Sequence, residues 1–195
     1  MSAGAPTPAS SPQRTLVLGG ARSGKSELAE RMVRAEPCLT YVATGPAVTA
    51  GDHEWTARVR EHRERRPAHW TTWETTDVAA ALRDAPGPLL IDSLTAWLNA
   101  VLDSAGAWRD EPGWRARVGA QVDELLAAWQ GAQVRVVAVS DEVGCGVVPA
   151  TASGRLFRDL LGELNTAVAR ASQRVLLVVA GHTLDLSPAE PGGAP

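Results

Sequence analysis

A glycine-rich stretch near the start of the chain has the residue types and the spacing of a loop that holds phosphate groups. It reads Gly19, Gly20, Ala21, Arg22, Ser23, Gly24, Lys25 and Ser26. This order matches the pattern G-x-x-x-x-G-K-S/T in full. The apolar run before it and the amphipathic pattern after it indicate a strand and a helix, which a chance glycine-rich turn would lack. The stretch therefore predicts a P-loop that binds ATP or GTP.

The residue types in this loop have separate tasks. Glycines allow the backbone to turn so tightly that its N–H groups point at phosphate oxygens, and the following helix adds the positive end of its dipole. Lys25 is expected to reach the β- and γ-phosphates, and the Ser26 hydroxyl is expected to bind Mg²⁺. Because Lys25 would polarise the transferring group, it is also a candidate catalytic residue.

A carboxylate that could organise the magnesium ion follows a second apolar run. Asp92 comes directly after residues 89–91, where the predicted strand ends. P-loop enzymes need an acid at the end of a neighbouring strand to hold the metal. The alternative is that Asp92 caps the helix predicted from residue 94, although Ser93 could fill that position equally well. We predict that Asp92 binds the metal ion or the nucleotide.

A strongly basic segment lies between residues 58 and 66 of a chain whose formal net charge is −3. One interpretation is a solvated helix, since residues 60 and 64, and 61 and 65, have the spacing of i,i+4 ion pairs. The other is an anion site, in which the guanidinium groups hold a triphosphate, lower the pKa of His62 and keep its imidazole neutral and nucleophilic. The residues alone leave both interpretations open. The five arginines are Arg58, Arg60, Arg63, Arg65 and Arg66.

The other three histidines give weaker signals. His69 precedes Trp70 in a Pro-Ala-His-Trp sequence, which by itself suggests only a packed aromatic turn. His53 and His182 lie in no recognisable pattern. His62 is therefore the histidine for which the sequence supports a chemical role.

A third polar stretch, residues 139–149, leads from an apolar run into a glycine-bearing loop and then into a helical pattern. It contains Ser140, Asp141, Glu142 and Cys145. In open α/β sheets, ligands bind at the loops that follow the carboxyl ends of strands. These polar residues are therefore expected to serve function more than scaffold.

Short β-type runs alternate with helical patterns along the chain. Several of the runs are apolar throughout, which indicates strands that are buried on both faces. The alternation predicts a P-loop NTPase-type α/β fold, a doubly wound, mostly parallel sheet with helices on both faces. Strands are predicted at residues 15–19, 39–44, 89–93, 134–140 and 175–180, and helices at 24–35, 54–65, 94–103, 114–129 and 156–171.

The length of 195 residues suits one domain. We expect a single α/β domain at residues 15–186, with disordered tails at 1–14 and 187–195, which have no hydrophobic period. The net charge gives no drive toward nucleic acid, and no apolar run is long enough to span a membrane. Two cysteines, Cys38 and Cys145, can form neither a disulfide framework nor a metal site. A reducing compartment, the cytoplasm, is therefore expected.

With these stretches in order, residues 15–182 resemble the bifunctional adenosylcobinamide kinase/adenosylcobinamide-phosphate guanylyltransferase family of cobalamin biosynthesis. The P-loop alone is common to many nucleotide-binding proteins. Three motifs are specific to the family: the segment from His62-Arg63 to Arg66-Pro67, then Glu142-Val143-Gly144, then Phe157-Arg158-Asp159. The remaining matching positions are Tyr41, Val42, Ala43, Thr44, Arg58, His69, Trp70, Asp92, Gly146, Val148, Pro149, Arg155, Gly162 and Asn165.

The resemblance implies a two-step reaction. Such enzymes phosphorylate the aminopropanol hydroxyl of adenosylcobinamide with ATP or GTP, then take GMP from GTP onto a histidine, a position that matches His62. They pass the GMP to the substrate phosphate and give adenosylcobinamide-GDP. The implied partners are small molecules and Mg²⁺, without nucleic acid, and we expect a homo-oligomer. Beyond the P-loop, the implied nucleotide contacts are Ala43, Thr44, Gly45, Arg63, Glu64, Arg65, Arg66, Glu74 and Asp92.

Two positions of the third stretch depart from the family pattern. Asp141 stands where the family usually has asparagine, and Ala150 stands where it usually has glutamate. These changes affect substrate contacts in that loop and not the phosphate chemistry. The rival interpretations are a single-step P-loop kinase of a small metabolite, in which His62 is only a helix-surface residue, and a nucleotide-sensing protein without chemistry. Of the three, only the two-step reaction predicts a protein covalently labelled by GTP.

Overall fold

The structure, a computed structural model, describes residues 13–45 and 66–187. Within these ranges the strands are β1 Arg14–Gly19, β2 Thr40–Ala43, β3 Thr71–Glu74, β4 Leu89–Asp92, β5 Val136–Asp141, β6 Arg174–Val179 and β7 His182–Asp185. The α-helices are α1 Lys25–Val33, α2 Val78–Asp84, α3 Leu94–Ser104, α4 Trp114–Gly131 and α5 Ala152–Arg170. A 3-10 turn, Ala107–Arg109, follows α3.

All of these strands form one sheet in the order β3-β2-β4-β5-β1-β6-β7. The neighbouring pairs are parallel except β6 and β7, which are antiparallel. The carboxyl ends of the parallel strands therefore meet at one edge, which we name the carboxyl edge. This arrangement confirms the predicted mostly parallel α/β sheet.

The central strands send alternate side chains into two layers of core. Leu16 of β1 and Ile91 of β4 pack with residues of α2, α3, α4 and α5. Val17 and Leu90, the next residues along, pack with the buried side of α1 on the other face. All four side chains are at most 1% exposed, and burying each stabilises the fold by roughly 1.5–3 kcal/mol. Helices thus cover both faces, and the ends of β1 and β4 are held by rigid packing.

Three short elements were not predicted from the sequence: β3, α2 and β7. Each has four to seven residues, which is too few for a clear hydrophobic period. β7 is exposed along its whole length, and it exists because the turn at Ala180 and Gly181, with φ of 50° and 79°, reverses the chain. The predicted start of α5 at residue 156 was wrong. The helix begins at Ala152 because Thr151 Oγ1 accepts a hydrogen bond from the Gly154 N–H at 3.1 Å.

The domain boundaries at residues 15 and 186 stay a prediction, and hydrogen bonds join the residues just outside them to the sheet. Arg14 belongs to β1, and its N–H donates to Gln173 Oε1 at 2.8 Å. Ser187 Oγ accepts a hydrogen bond from the Val175 N–H at 3.0 Å. The helix predicted at residues 54–65 lies outside the described residues. Both cysteines, Cys38 and Cys145, are free thiols at the surface.

Candidate functional site

The P-loop joins the carboxyl end of β1 to the first turn of α1, and its geometry requires glycine at two positions. A Cβ atom on Gly19 would lie 2.5 Å from Ser23 Oγ and 2.7 Å from the Val178 carbonyl oxygen. Gly24 has a φ of 94°, which residues with a side chain rarely adopt. The first and sixth positions of the motif are therefore explained by close approach and by backbone conformation.

The turn between β6 and β7 supports the P-loop through a backbone hydrogen bond. The Gly181 N–H donates to the Ser23 carbonyl oxygen at 2.9 Å. Within the loop, the Ser23 N–H donates to the Gly20 carbonyl oxygen at 3.3 Å. Ala21 and Arg22 are exposed at the tip of the loop. Gly181 is thus a structural part of the site that the sequence pattern did not indicate.

The amino terminus of α1 is suited to an anion. Helices α2, α3 and α5 begin with side-chain caps from Asp77, Ser93 and Thr151, whereas α1 and α4 each follow a glycine. The residue before α1 is Gly24, which has no side chain to cap the first turn. The N–H groups of that turn keep their capacity to bind an anion, and the helix dipole favours negative charge there. Lys25 opens this turn, next to Ser26.

The ammonium group of Lys25 is held inside the loop by two oxygens. Its Nζ lies 2.6 Å from Asp141 Oδ1 and donates to the Gly20 carbonyl oxygen at 3.1 Å. The Lys25 side chain is 12% exposed, whereas that of Asp141 is 30% exposed. Asp141 therefore belongs to the phosphate-binding region, whereas sequence reasoning had linked the loop that carries it to substrate contacts.

Site residues from five strands lie side by side along the carboxyl edge. Glu74 of β3 is in register with Ala43 of β2, and Ala43 is in register with Asp92 of β4. Asp141 of β5 is in register with Gly19 of β1. At about 4.8 Å per strand, β3 is about 19 Å from β1. The sheet therefore gathers candidates that are scattered in the sequence into one row with the P-loop at one end.

Asp92 lies at the end of β4, and β5 separates β4 from the P-loop strand β1. It does not cap α3, because the Ala96 N–H donates to Ser93 Oγ at 3.2 Å and Ser93 fills that position. Its Oδ2 accepts a hydrogen bond from the Tyr41 hydroxyl at 2.7 Å. The capping interpretation of Asp92 is therefore wrong, and its role at the metal or nucleotide stays a prediction.

Tyr41 fixes the orientation of the Asp92 carboxylate. Burial raises the pKa of Tyr41 well above its ordinary value of 10.0, and the negative charge of Asp92 raises it further. The guanidinium of Arg66 lies 3.4 Å from the centre of the phenol ring and acts in the opposite direction. Tyr41 consequently stays protonated and remains a hydrogen-bond donor throughout the neutral range.

Thr44 follows β2 at the carboxyl edge, but its polar groups are occupied within the protein. Its hydroxyl donates to the Ser93 carbonyl oxygen at 2.6 Å and accepts from the Ser93 N–H at 2.9 Å. Its own N–H lies 3.3 Å from the Asp92 carbonyl oxygen. The residue is 1% exposed. In this arrangement Thr44 ties β2 to the start of α3, and it positions Asp92.

A pocket of about 370 Å³ lies along the edge strand β3. Trp70, Thr72 and Glu74 are alternate residues, so their side chains share one face of the strand. The Trp70 ring stacks on Tyr41 with 6.5 Å between centroids, and a guanidinium nitrogen of Arg66 lies 3.5 Å from Thr72 Oγ1. The pocket thus combines a cation, an indole ring and a carboxylate. Its lining residues are Arg66, Pro67, Ala68, Trp70, Thr72 and Glu74.

Four of the predicted site residues, His62, Arg63, Glu64 and Arg65, lie outside the described residues. Gly45, also a predicted contact, is the last described residue before that gap. The chemical role of His62 therefore stays a prediction.

The two described histidines lie at opposite ends of the strands, one near their amino ends and one at the carboxyl edge. His69 precedes β3, and its Nε2 lies 3.3 Å from the carbonyl oxygen of Glu36, whose side chain pairs with Arg135 just before β5. His69 therefore lies at the amino ends of the parallel strands, opposite the carboxyl edge that carries the P-loop. His182 is exposed and directly follows Gly181, which supports the P-loop. The structure therefore separates His69 from the phosphate-binding region.

Two buried or partly buried polar residues hold Asp141 by its backbone. Thr95 Oγ1 accepts from the Asp141 N–H at 2.7 Å, and Asn165 Nδ2 donates to the Asp141 carbonyl oxygen at 3.0 Å. Sequence reasoning gave Thr95 no role, because one threonine in a helical pattern carries no signal. Asn165 was found only as a position that matches the family. In the loop that follows, Glu142 Oε1 accepts from the Gly144 N–H at 2.6 Å.

No cluster of three or more metal-binding side chains occurs within residues 13–45 and 66–187. A magnesium ion that arrives with a nucleotide needs only one or two protein oxygens, since phosphates and water supply the others. Over the same ranges, no helix is both long and apolar enough to cross a bilayer.

Comparison with known proteins gives a consistent result. The chain is 41% identical over 178 residues to the bifunctional adenosylcobalamin biosynthesis protein CobP of Pseudomonas aeruginosa, covering 89% of this chain and 96% of that protein. It is 36% identical over 175 residues to the bifunctional adenosylcobalamin biosynthesis protein CobU of Salmonella typhimurium, covering 85% and 95%. Among solved structures, RadB recombinase is similar with a TM-score of 0.44 and 17% identity, covering 86% of this chain and 74% of that one.

A family profile described as cobinamide kinase / cobinamide phosphate guanyltransferase matches residues 15–186. The match includes the P-loop, the row of residues along the carboxyl edge and the loop that carries Asp141. The chain belongs to the cobinamide kinase / cobinamide phosphate guanyltransferase family.

Proposed function

We propose that this protein phosphorylates the hydroxyl group of adenosylcobinamide and then transfers GMP from GTP to the new phosphate, with release of pyrophosphate. The observation that carries the proposal is the complete P-loop, with Lys25 and an uncapped α1 terminus, in a chain of this family. Both reactions require a nucleoside triphosphate whose phosphates are held firmly, and one P-loop can serve both.

In the kinase step, the substrate hydroxyl oxygen attacks the γ-phosphorus of ATP or GTP. The bond to the bridging oxygen breaks, the nucleoside diphosphate leaves, and the hydroxyl proton passes to solvent water. Catalysis of such transfers consists mostly of positioning and of neutralising charge on the phosphoryl oxygens. Backbone N–H groups at residues 19–26 and the Lys25 ammonium supply these two effects.

Mg²⁺ fits the residues at the carboxyl edge. The Ser26 hydroxyl, in the first turn of α1, and the Asp92 carboxylate are oxygen ligands of the class that this ion prefers. The hydrogen bond from Tyr41 keeps the Asp92 carboxylate oriented. Ser26 and Asp92 would therefore hold the ion, which supplies positive charge to the phosphates when bound.

In the guanylyl step, a ring nitrogen of His62 attacks the α-phosphorus of GTP and pyrophosphate leaves. An oxygen of the substrate phosphate then attacks the same phosphorus, the P–N bond breaks, and the histidine is regenerated. The support is the match of His62 to the family motif and the five arginines between residues 58 and 66. Positive charge there favours a neutral imidazole and stabilises the departing pyrophosphate.

The pocket along β3 suits a guanine base. The Glu74 carboxylate can accept hydrogen bonds from the N1–H and the 2-amino group of guanine, neither of which adenine presents. The Arg66 guanidinium, which also lines the pocket, is planar and favours contact with a planar ring. This assignment gives Glu74 the task of choosing GTP in the second reaction.

The proposed enzyme acts in the cytoplasm as a homo-oligomer that uses small-molecule substrates. Val179, Leu184 and Leu186, around the edge strand β7, are 54%, 55% and 52% exposed. An apolar edge strand favours pairing with another chain. Light scattering on the wild type and on Leu184→Lys tests this point, with a smaller particle expected for the variant.

The central test is to incubate the protein with adenosylcobinamide, Mg²⁺ and GTP and to analyse the corrinoid by mass spectrometry. The expected result is a phosphorylated product, followed by a product that carries GDP. One pyrophosphate should be released for each molecule of the GDP product. A phosphorylated corrinoid without the GDP product would support the rival single-step kinase. The absence of corrinoid-dependent nucleotide turnover would contradict both.

A further inference from the structure

Lys25, the lysine that nucleotide phosphates require, has contacts with two oxygens of the protein itself. Lys25 Nζ contacts Asp141 Oδ1 at 2.6 Å and the Gly20 carbonyl oxygen at 3.1 Å. An ammonium group has three protons, and two of them are directed at oxygens of the protein itself. A triphosphate that enters the loop must therefore compete with Asp141 for the charge of Lys25.

The position of Asp141 beside the P-loop is set by three elements that hold the backbone of Asp141 and Glu142. Its N–H donates to Thr95 Oγ1 of α3 at 2.7 Å, and its carbonyl oxygen accepts from Asn165 Nδ2 of α5 at 3.0 Å. The next residue, Glu142, donates its N–H to the Gly19 carbonyl oxygen at 3.1 Å. The backbone of Asp141 is thus held beside the first residue of the P-loop, on the strand next to β1, and its carboxylate contacts Lys25.

This placement has an electrostatic consequence for the ligand. A triphosphate without a metal ion carries roughly four negative charges, and it enters a loop whose lysine is already paired with a carboxylate. A triphosphate that carries Mg²⁺ has less net negative charge, so the same carboxylate repels it less. Asp92, the proposed ligand of the ion, lies one strand further from β1 than Asp141 does, and Asp141 is the residue whose carboxylate contacts Lys25.

We propose that Asp141 makes this P-loop select metal-complexed nucleoside triphosphate over the free anion, because its carboxylate competes with the phosphates for Lys25 and repels an anion that carries no metal ion. The inference rests on the proposed use of GTP. Asp141 is in this role a positioning residue, and it affects binding before any chemistry occurs.

The test is calorimetric titration of the purified protein with GTP, once with excess Mg²⁺ and once with EDTA. Wild type should bind the magnesium complex at least about tenfold more tightly than free GTP. Asp141→Asn keeps the shape of the side chain but removes its charge. Asp141→Asn should reduce the ratio of the two affinities, magnesium complex over free GTP, about tenfold or more, mainly because free GTP binds more tightly. Asp141→Glu, which keeps the charge, should retain more of the ratio.

Asp123→Asn is the matched control, because it makes the same charge change on an exposed residue of α4. It should leave the ratio at the wild-type value. Equal ratios in wild type and Asp141→Asn would overturn the inference, as would an equal loss of affinity in both conditions, which indicates a scaffold role. A wild-type protein with no preference for the magnesium complex would overturn it without any variant. If wild type bound GTP in neither condition, the proposed function would fail as well.

Discussion

The two ends of the row along the carboxyl edge are built in different ways. At the P-loop end, backbone geometry determines the site: Gly19 has no room for a Cβ atom, and Gly24 needs a positive φ. At the β3 end, the pocket is made by side chains of an edge strand and of Arg66, and Thr72 and Glu74 are exposed. Backbone conformation defines the first region, and side chains of residues 66–74 define the second.

This difference suggests a division of labour. A backbone cradle binds phosphates, which every nucleoside triphosphate has, so it cannot tell GTP from ATP. Side chains such as Glu74 present hydrogen-bond acceptors in a fixed pattern, and these can distinguish one base from another. Changes in the P-loop should therefore affect both reactions, whereas changes in the β3 pocket should affect the guanine-specific step.

The largest effect is expected for Lys25→Ala. Removing the ammonium group leaves charge on the transferring phosphoryl group and on pyrophosphate unbalanced, so both reactions should slow by about 100-fold or more. The measurement is the rate of phosphate transfer and of GMP transfer to the corrinoid. Arg31→Ala, which removes an exposed charge further along α1, should leave both rates near wild type. If either reaction survived at the wild-type rate in Lys25→Ala, the two steps would not share the P-loop.

His62→Ala should separate the reactions completely. A GMP–histidine bond is a phosphoramidate, so label from α-phosphate GTP should persist on the wild-type protein in alkali and be lost in mild acid. The variant should form no adduct and no GDP product, yet phosphorylate the corrinoid at a rate close to wild type.

His69→Ala is the control for this variant, since His69 lies at the opposite edge of the sheet and should be dispensable for the adduct. An adduct in His62→Ala would move the acceptor elsewhere, and His182, beside the turn that supports the P-loop, would be examined first. Equal loss of the kinase step would mean that His62 serves nucleotide binding or folding.

Glu74→Gln should reduce the preference for GTP over ATP in the guanylyl step by about tenfold to 100-fold, the range expected for hydrogen bonds to a charged acceptor. Use of ATP in the kinase step should change little. The comparison is kcat/KM for each nucleotide. Glu163→Gln on the exposed side of α5 is the matched control. An unchanged preference in Glu74→Gln would remove the base from the β3 pocket.

The smallest effect is expected for Tyr41→Phe. Tyr41 lies on β2, between the β3 pocket and the P-loop. Loss of the hydrogen bond to Asp92 should cost roughly 2 kcal/mol of stability at neutral pH and slow both reactions a few-fold. The folded protein raises the pKa of Tyr41, so the folded state keeps this proton more strongly than the unfolded chain does. That contribution is fully present below about pH 10 and is lost as the pH rises above it.

Denaturant titrations at pH 7 and above pH 10 check both statements. Wild type should lose stability over this interval, and Tyr41→Phe should lose less of it. If the two proteins had parallel pH profiles, Tyr41 would not be the group that titrates.

The sequence by itself determined those features that depend on neighbouring residues. The P-loop could be predicted because its glycines, Lys25 and Ser26 act within eight consecutive positions. The parallel sheet could be predicted because buried strands such as β4 and β5 leave continuous apolar runs. Family membership followed from motifs at residues 62–67, 142–144 and 157–159, and the comparison confirms it.

Only the tertiary structure decided which distant residues meet. Nothing local to Asp141 indicates that its carboxylate contacts Lys25, because that contact depends on β5 lying next to β1 in the sheet. The same strand order separates Asp92 from the P-loop strand by β5, whereas sequence reasoning had expected the acid on a neighbouring strand. β7 and the support from Gly181 depend on a two-residue turn that leaves no hydrophobic period. Strand order and side-chain pairing are set by the packing of the whole chain, so a pattern read along the sequence cannot determine them.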